Sequence, residues 1–397
     1  MMYSRKSQVV AERLAWSAGK PAAVILDQTA LLALGPEWEE LVTHAVQENP
    51  YYARKYVTAQ LTHIEKRPVQ ALAIWYEHKL IALLPFVCDP WRWGGIAYVN
   101  KSWTTPYTTL SVPLIDARFA DTASKALVAA MTEGVLGSST WLLLDMTMKG
   151  PALRHLSHAL KERGLEWTCF DAFERAILSR AGSFEEHQKT HLSKNRRKSL
   201  ARNRRRLEEM GKLSLETYSE GDALDEALQH FLQLEEAGWK GKSGTALASS
   251  PHTKAFAEMA FGSTGATLAH PPATRIDLLM LDENPIAASV SIQVGRTTFT
   301  LKSAFDENFR NQSPGLVLEE AIIREFLDGN WADRLDSAAD AGHVLENLWN
   351  GTVTVGDILV TTNETNAKWF FKLFTRLEAT RRSARLLVKR ALQILKR

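Results

Sequence analysis

Cysteine is nearly missing: Cys88 and Cys169 are the only two in 397 residues. That excludes a disulfide framework and a cysteine-rich zinc site, and fits a reducing compartment. The histidines show no metal-ligand spacing. His155 and His158 lie three apart with no carboxylate partner close in sequence, so no metal is expected. No run approaches the roughly 18 apolar residues of a membrane span. The opening segment, residues 1–16, has no apolar h-region and does not read as a signal peptide. The reading is a cytoplasmic protein. What is there is a globular composition, 45% hydrophobic and 23% charged, in a chain long enough for two domains.

The net charge of +3 is unevenly spread. Residues 191–210 carry +6 and residues 365–397 carry +9, which leaves −12 for the rest. Two basic segments on an acidic body suggest local contact with anions, not a nucleic-acid binder, and no nucleic acid is expected. In the first basic segment, Leu192, Leu200 and Leu207 form an inward stripe, so a solvated helix face is the alternative reading. In the second, Phe370, Leu373, Phe374, Leu377, Leu387, Val388 and Leu395 recur at helical spacing among Lys and Arg. This is the pattern of a basic amphipathic helix on an anionic membrane surface, with residues 367–397 making the contact. Packing on the protein's own body is the alternative.

Helices are expected from Pro36, over Ala120–Glu133, Pro151–Arg163, Ser193–Met210, Asp222–Gly238 and Leu316–Leu327. Strands are expected at residues 71–76 and 80–86 as a hairpin, and at Thr108–Ile115 and Trp141–Asp145. In the second half they are expected at Arg275–Asp282, Ile286–Val294, Thr297–Phe305, Arg334–Ser337 and Val353–Val360. The hairpin segments Tyr76–Ala82 and Leu281–Ala287 align with an offset of 205 residues. Each is followed by strand, helix and strand, which points to two similar α/β units in tandem.

The densest chemistry lies between Thr297 and Ser337. A strand ends at Phe305 and feeds a helix through a loop holding Arg310, Asn311, Gln312, Ser313, Pro314 and Gly315. Free N–H groups at a helix start, a close-approach glycine and an arginine make a plausible phosphate cradle. An ordinary strand-to-helix connection is the alternative.

Several segments of residues 190–350 together resemble GNAT-superfamily acyltransferases of the cellulose- or exopolysaccharide-biosynthesis acetyltransferase type, which are related to FemAB-like proteins. They are the basic helix from Ser193 to Gly211, the run Gly238–Leu247, and Pro285–Ala288. Lys302–Glu307 with Ser313–Gly315, and Asp336–Asp340 with His343 and Trp349, complete the set. The resemblance implies a mixed α/β sheet whose central strands splay apart around an acyl-CoA pantetheine, with the pyrophosphate on the loop Arg310–Gly315. That loop departs from the usual glycine-rich form, having one glycine and a proline, which leaves an acyl-carrier-protein donor open.

Acyl transfer to an amine asks for a general base and for oxyanion donors. His343 is the expected base, held by Asp336 or Asp340. Helix capping is the alternative for His343, and ordering of a turn the alternative for Asp336. Trp239, Lys240, Lys302 and Asp306 are expected to line the acceptor site, although a lysine commonly faces solvent and a tryptophan commonly packs in a core. The expected domains are residues 1–182, a degenerate GNAT-like unit, residues 183–362, the active unit, and residues 363–397, the membrane-surface helix. The expected function is transfer from acyl-CoA to a primary amine of an envelope precursor: an amino sugar of an exopolysaccharide or a lipid amine such as a sphingoid base. The expected location is the inner face of the cell membrane. The rivals are a non-catalytic GNAT-like binding module and a FemAB-like transferase using aminoacyl-tRNA.

Overall fold

The computed structural model describes residues 19–90, 98–132, 140–263, 272–360, 375–377 and 379–380. The expected C-terminal amphipathic helix falls almost wholly outside the described residues. Among them, no helix is long and apolar enough to cross a membrane.

Among the described residues the fold is mixed α/β and is built on one continuous sheet of 13 strands. In chain order the strands are β1 (Ala22–Leu26), β2 (Gln70–Tyr76), β3 (Lys79–Pro90), β4 (Tyr98–Ser102), β5 (Leu114–Ile115), β6 (Trp141–Thr147), β7 (Trp167–Ser179), β8 (Leu213–Tyr218), β9 (Ala273–Leu281), β10 (Asn284–Val294), β11 (Thr297–Phe305), β12 (Arg334–Asp336) and β13 (Gly351–Val360). Across the sheet they run β1-β2-β3-β4-β6-β13-β7-β12-β11-β10-β9-β8, with β5 alongside β3.

That order reads the same from both edges. β1 to β4 correspond to β8 to β11, β6 to β12 and β7 to β13. The expected repeat is therefore visible as topology, and it extends to local detail. In the first hairpin Ile81 is the extra residue, between the pairs Ile74–Ala82 and Trp75–Leu80. In the second, Ile286 is extra, between Leu279–Ala287 and Met280–Pro285. The two bulges are 205 residues apart, the offset of the sequence alignment.

The units exchange their last strands. β13, from the second half, lies between β6 and β7 of the first. β7, from the first half, pairs with β12 of the second. Gly356 serves this seam: an added Cβ would lie 2.9 Å from Cys169 Sγ and 3.1 Å from the Phe170 carbonyl oxygen. The exchange joins the halves into a shared sheet.

Helices cover both faces. On β9, Leu278 and Met280 pack with the helix Gly221–Ala237, whereas Leu279 and Leu281 pack with the helix Pro314–Asp328. Alternation along a strand puts these two sets on opposite sides. The basic helix Lys194–Glu208 buries Leu200 and Leu207 as its inward stripe, and Arg204 pairs with buried Glu320 of the helix Pro314–Asp328 at 3.3 Å. The expected strand at Thr108–Ile115 is corrected: only Leu114–Ile115 pair, and residues 103–113 form a loop out of the sheet.

Candidate active site

The sheet opens between β11 and β12. These parallel strands pair only from Thr297–Arg334 to Phe299–Asp336. β11 then continues to Phe305, while the other chain turns away at Ala338, whose φ is +50°. A bulge at Leu301 lies between the pairs Ser291–Thr300 and Val290–Lys302, and re-aims the β11 side chains at the opening. A cavity of about 700 Å³ occupies the gap. Its wall includes Lys240, Ser289, Lys302, Arg310, Glu319 and His343. Pro106 and Tyr107 reach it from the first half.

Glu319 lies on the helix Pro314–Asp328 and is 8% exposed. Burial pushes its carboxyl up to about 7, against the opposing hydrogen bond that Trp349 Nε1 donates at 2.7 Å, while Asp277 raises it a little further. Leu316, Leu318, Leu345 and Phe305 give this part of the cavity its apolar lining. Ser289, also on the wall, is buried, and among the described residues its hydroxyl has no hydrogen-bond partner. A carboxyl in this setting exchanges a proton near neutral pH. Trp349→Phe is expected to move the Glu319 titration up by about one pH unit, since a charge-assisted bond of about 1.5 kcal/mol is lost. A 13C NMR titration of the carboxyl reads this directly.

On the opposite face, Glu235 ends the helix Gly221–Ala237 and is fully buried. Its Oε1 lies 3.3 Å from Lys240 Nζ and 3.1 Å from Lys302 Nζ, and its Oε2 accepts from Leu247 N at 2.7 Å. Lys240 also donates to the Ser303 carbonyl at 2.8 Å. Burial holds the Lys240 ammonium below its usual range; Glu235 opposes this and Lys302 adds to it. The Lys302 ammonium is 6.0 Å from the centre of the Tyr107 ring. Burial, and then Glu235, raise the Tyr107 phenol.

Of the expected catalytic residues, His343 lines the cavity and is exposed. It caps the short turn Val344–Asn347, with Nδ1 accepting from Leu345 N at 3.4 Å. Partial desolvation lowers its pKa, Glu346 raises it and Lys240 lowers it further. Among the described residues neither carboxylate expected to hold it is hydrogen-bonded to His343. Asp336 is buried; its Oδ1 accepts from Ala338 N at 2.9 Å and lies 3.8 Å from Arg175 Nη1, and its Oδ2 lies 3.5 Å from Arg334 Nη2. It orders the turn that opens the splay. Asp340 is exposed and lies off the cavity wall.

Of the expected donor loop, Arg310, Ser313 and Gly315 line the cavity, whereas Asn311 and Gln312 do not. Ser313 stands in the left-handed region at φ +49° immediately before the helix, a conformation that costs a non-glycine residue about 1–2 kcal/mol. Lys240 and Lys302 line the cavity, but Trp239 and Asp306 do not. Trp239 is 58% exposed and its N donates to Glu307 Oε1 at 2.8 Å. Asp306 caps the turn Glu307–Gln312 through Asn308 N at 2.9 Å.

The matching gap in the first half is closed. Ser102 Oγ accepts from Leu144 N at 2.8 Å and shares a 2.7 Å hydrogen bond with Ser111 Oγ, while the Ser111 hydroxyl donates to the Leu144 carbonyl. The loop 103–113 leaves that half and crosses to the other cavity. Arg175 of β7, buried, holds it there: Nη2 donates to the Thr109 carbonyl at 2.7 Å and Nε to the Ala339 carbonyl at 3.3 Å.

A strand pair that opens around a cavity is what the resemblance to GNAT-superfamily acyltransferases implied. The acetyltransferase (GNAT) domain family model matches residues 194–339, the stretch that supplies most of this wall. Among solved structures, FemX is similar at 11% identity and a TM-score of 0.52, over 81% of this chain and 94% of that one. A conserved protein of unknown function from Bacteroides thetaiotaomicron VPI-5482 is similar at 12% identity and 0.54, over 85% and 99%. No curated protein matches. The chain carries a mixed α/β fold like that of these solved structures, and residues 194–339 match an acetyltransferase (GNAT) domain.

Proposed function

We infer that the protein is an N-acyltransferase that joins an acyl group from a coenzyme A thioester to a primary amine within the splay between β11 and β12. The observation that carries this reading is Glu319, a buried carboxyl pushed up to about 7 on the wall of that cavity. The cavity is large enough for a slender chain, and its α-helical end offers Arg310, Ser313 and Gly315 for an anionic donor. Among the described residues Arg310 makes no close ion pair; Glu307, whose carboxylate it helps keep ionised, is paired with Lys242 at 3.0 Å, which leaves the Arg310 guanidinium for a phosphate. The thioester supplies an activated acyl carbon: a C–N bond forms as the C–S bond breaks, and the amine's proton balances the departing thiolate. The acceptor ammonium releases one proton to solvent to become the nucleophilic amine; ionised Glu319 takes the further proton that nitrogen sheds as the C–N bond forms and, once protonated, returns it to the departing sulfur.

His343 as base is the competing assignment. It lacks a paired carboxylate and has a lowered pKa, so it is neutral at pH 7 but a weaker proton acceptor. The pH profile separates the two. With Glu319 as base, kcat/KM rises with pH along a limb centred near 7 that Glu319→Gln removes. With His343, the limb lies below 6.5 and His343→Gln removes it. The acceptor is a primary amine of an envelope precursor, an amino sugar or a lipid amine, and action at the inner membrane surface through residues 367–397 belongs to the same proposal.

The donor is tested by thermal unfolding against CoA thioesters from acetyl to palmitoyl. A thioester at ~100 times its Kd stabilises the fold by roughly 2.7 kcal/mol. A response confined to long chains assigns lipid acylation, and a response to acetyl-CoA assigns acetylation of an amino sugar. No response to any thioester or to CoA overturns the CoA reading in favour of an acyl-carrier-protein or aminoacyl-tRNA donor.

A further inference from the structure

We propose that the acceptor carries an oxyanion, a phosphate or carboxylate, beside its amine, and that Lys240 and Lys302 hold it. This rests on the acyl-transfer reading for the word acceptor, but the anion site stands on its own geometry. One carboxylate, Glu235, faces two ammonium groups through a single oxygen, and its other oxygen is taken by Leu247 N. The group of three therefore keeps a net positive charge. It is not a solvated surface cluster: the two lysine side chains are 23% and 21% exposed and Glu235 is fully enclosed. An uncompensated charge in such a place is costly unless a counter-charge arrives. Both lysines are on the cavity wall, so a ligand in the cavity can deliver it.

The position assigns the anion to the acceptor rather than the donor. Glu235 belongs to the helix covering one face of the sheet, and Glu319 and Gly315 to the helix covering the other. The splay joins the two faces. A donor anchored at Arg310 and Gly315 and an acceptor anchored at Lys240 and Lys302 would enter from opposite sides and meet at the gap. Tyr107 of the first half stands over Lys302 and narrows the acceptor side.

The probes are O-phosphoethanolamine, β-alanine and ethanolamine, titrated into the full-length protein with and without saturating CoA, with thermal midpoint and calorimetric binding as readouts. Wild type is expected to bind O-phosphoethanolamine or β-alanine at saturating CoA and to bind ethanolamine at least tenfold more weakly, the worth of one charge-assisted contact. Lys240→Gln/Lys302→Gln, and Lys302→Gln alone should the double variant unfold, are expected to lose the preference for the charged amines while binding CoA as wild type does. If the lysines hold the donor's phosphates instead, the variants lose CoA affinity, and CoA abolishes binding of the charged probes; that overturns the proposal. Equal binding of ethanolamine and the charged amines overturns it too. Failure to bind CoA together with lysine-dependent binding of a charged amine would retain the anion site and sink the acyl-CoA reading.

Discussion

Glu319→Gln is expected to lower kcat/KM by about 10²–10⁴-fold, the usual worth of a positioned general base, while making the protein more stable. The second effect follows from the direction of the pKa shift. The folded carboxyl titrates at about 7 against 4.5 when unexceptional, so the folded state holds the proton more tightly than the unfolded chain. Glu319 is therefore well tolerated below pH 4.5, and its contribution is lost as pH rises through 7. At pH 8 the wild type must bury a charge that glutamine does not carry. The advantage of the variant grows from near nothing at pH 4.5 to about 3 kcal/mol at pH 8. Glutamine keeps an acceptor oxygen for Trp349 Nε1, so the packing that surrounds the site is retained. Urea midpoints at pH 5 and pH 8, beside initial rates, check both effects. A variant that is inactive and less stable at pH 8 would make Glu319 a structural residue. A variant that is fully active would return the base to His343.

The sequence made some of this legible and hid the rest for physical reasons. β11 and the following helix were readable because a run of alternating residues stops at a proline-led helix start. His343, Lys240 and Lys302 stood out as polar groups inside resembling segments, and all three line the cavity. Glu319 did not stand out: Glu319 and Glu320 sit side by side in a helix, where acids usually face water, yet both are buried. The signal available was Trp349, a tryptophan whose N–H needs an acceptor when buried. β7 was also hidden. Asp171 at φ +48° interrupts it, and acidic and apolar residues alternate imperfectly across a strand that pairs with β13 on one side and β12 on the other. Its partners come from the far half of the chain, which no local pattern encodes. For the same reason the contribution of Pro106 and Tyr107 was unreadable: it depends on a loop leaving one unit for the other.

Arg175→Met is expected to cost about 3–5 kcal/mol, the toll of stranding a buried partner charge. Arg175 is 2% exposed; it donates to the Ala339 and Thr109 carbonyls and lies 3.8 Å from the Asp336 carboxylate. Two of these belong to the turn that opens the splay, and the third to the loop that brings Tyr107 to the cavity. Methionine fills much of the volume but leaves Asp336, beyond its Ala338 N–H bond, with Arg334 at 3.5 Å as its remaining cation among the described residues. Adding Asp336→Asn should therefore recover part of the loss, because it removes the stranded charge; two losses that simply add would deny the coupling. The same variant separates stability from function. Where it still folds, the released 103–113 loop becomes a protease target and binding of charged amines weakens, while the CoA response, anchored on the other face, stays as in the wild type. Limited proteolysis and calorimetry on the folded variant read these outcomes. An uncut loop with unaltered amine binding would mean that Arg175 supports the sheet and not the site.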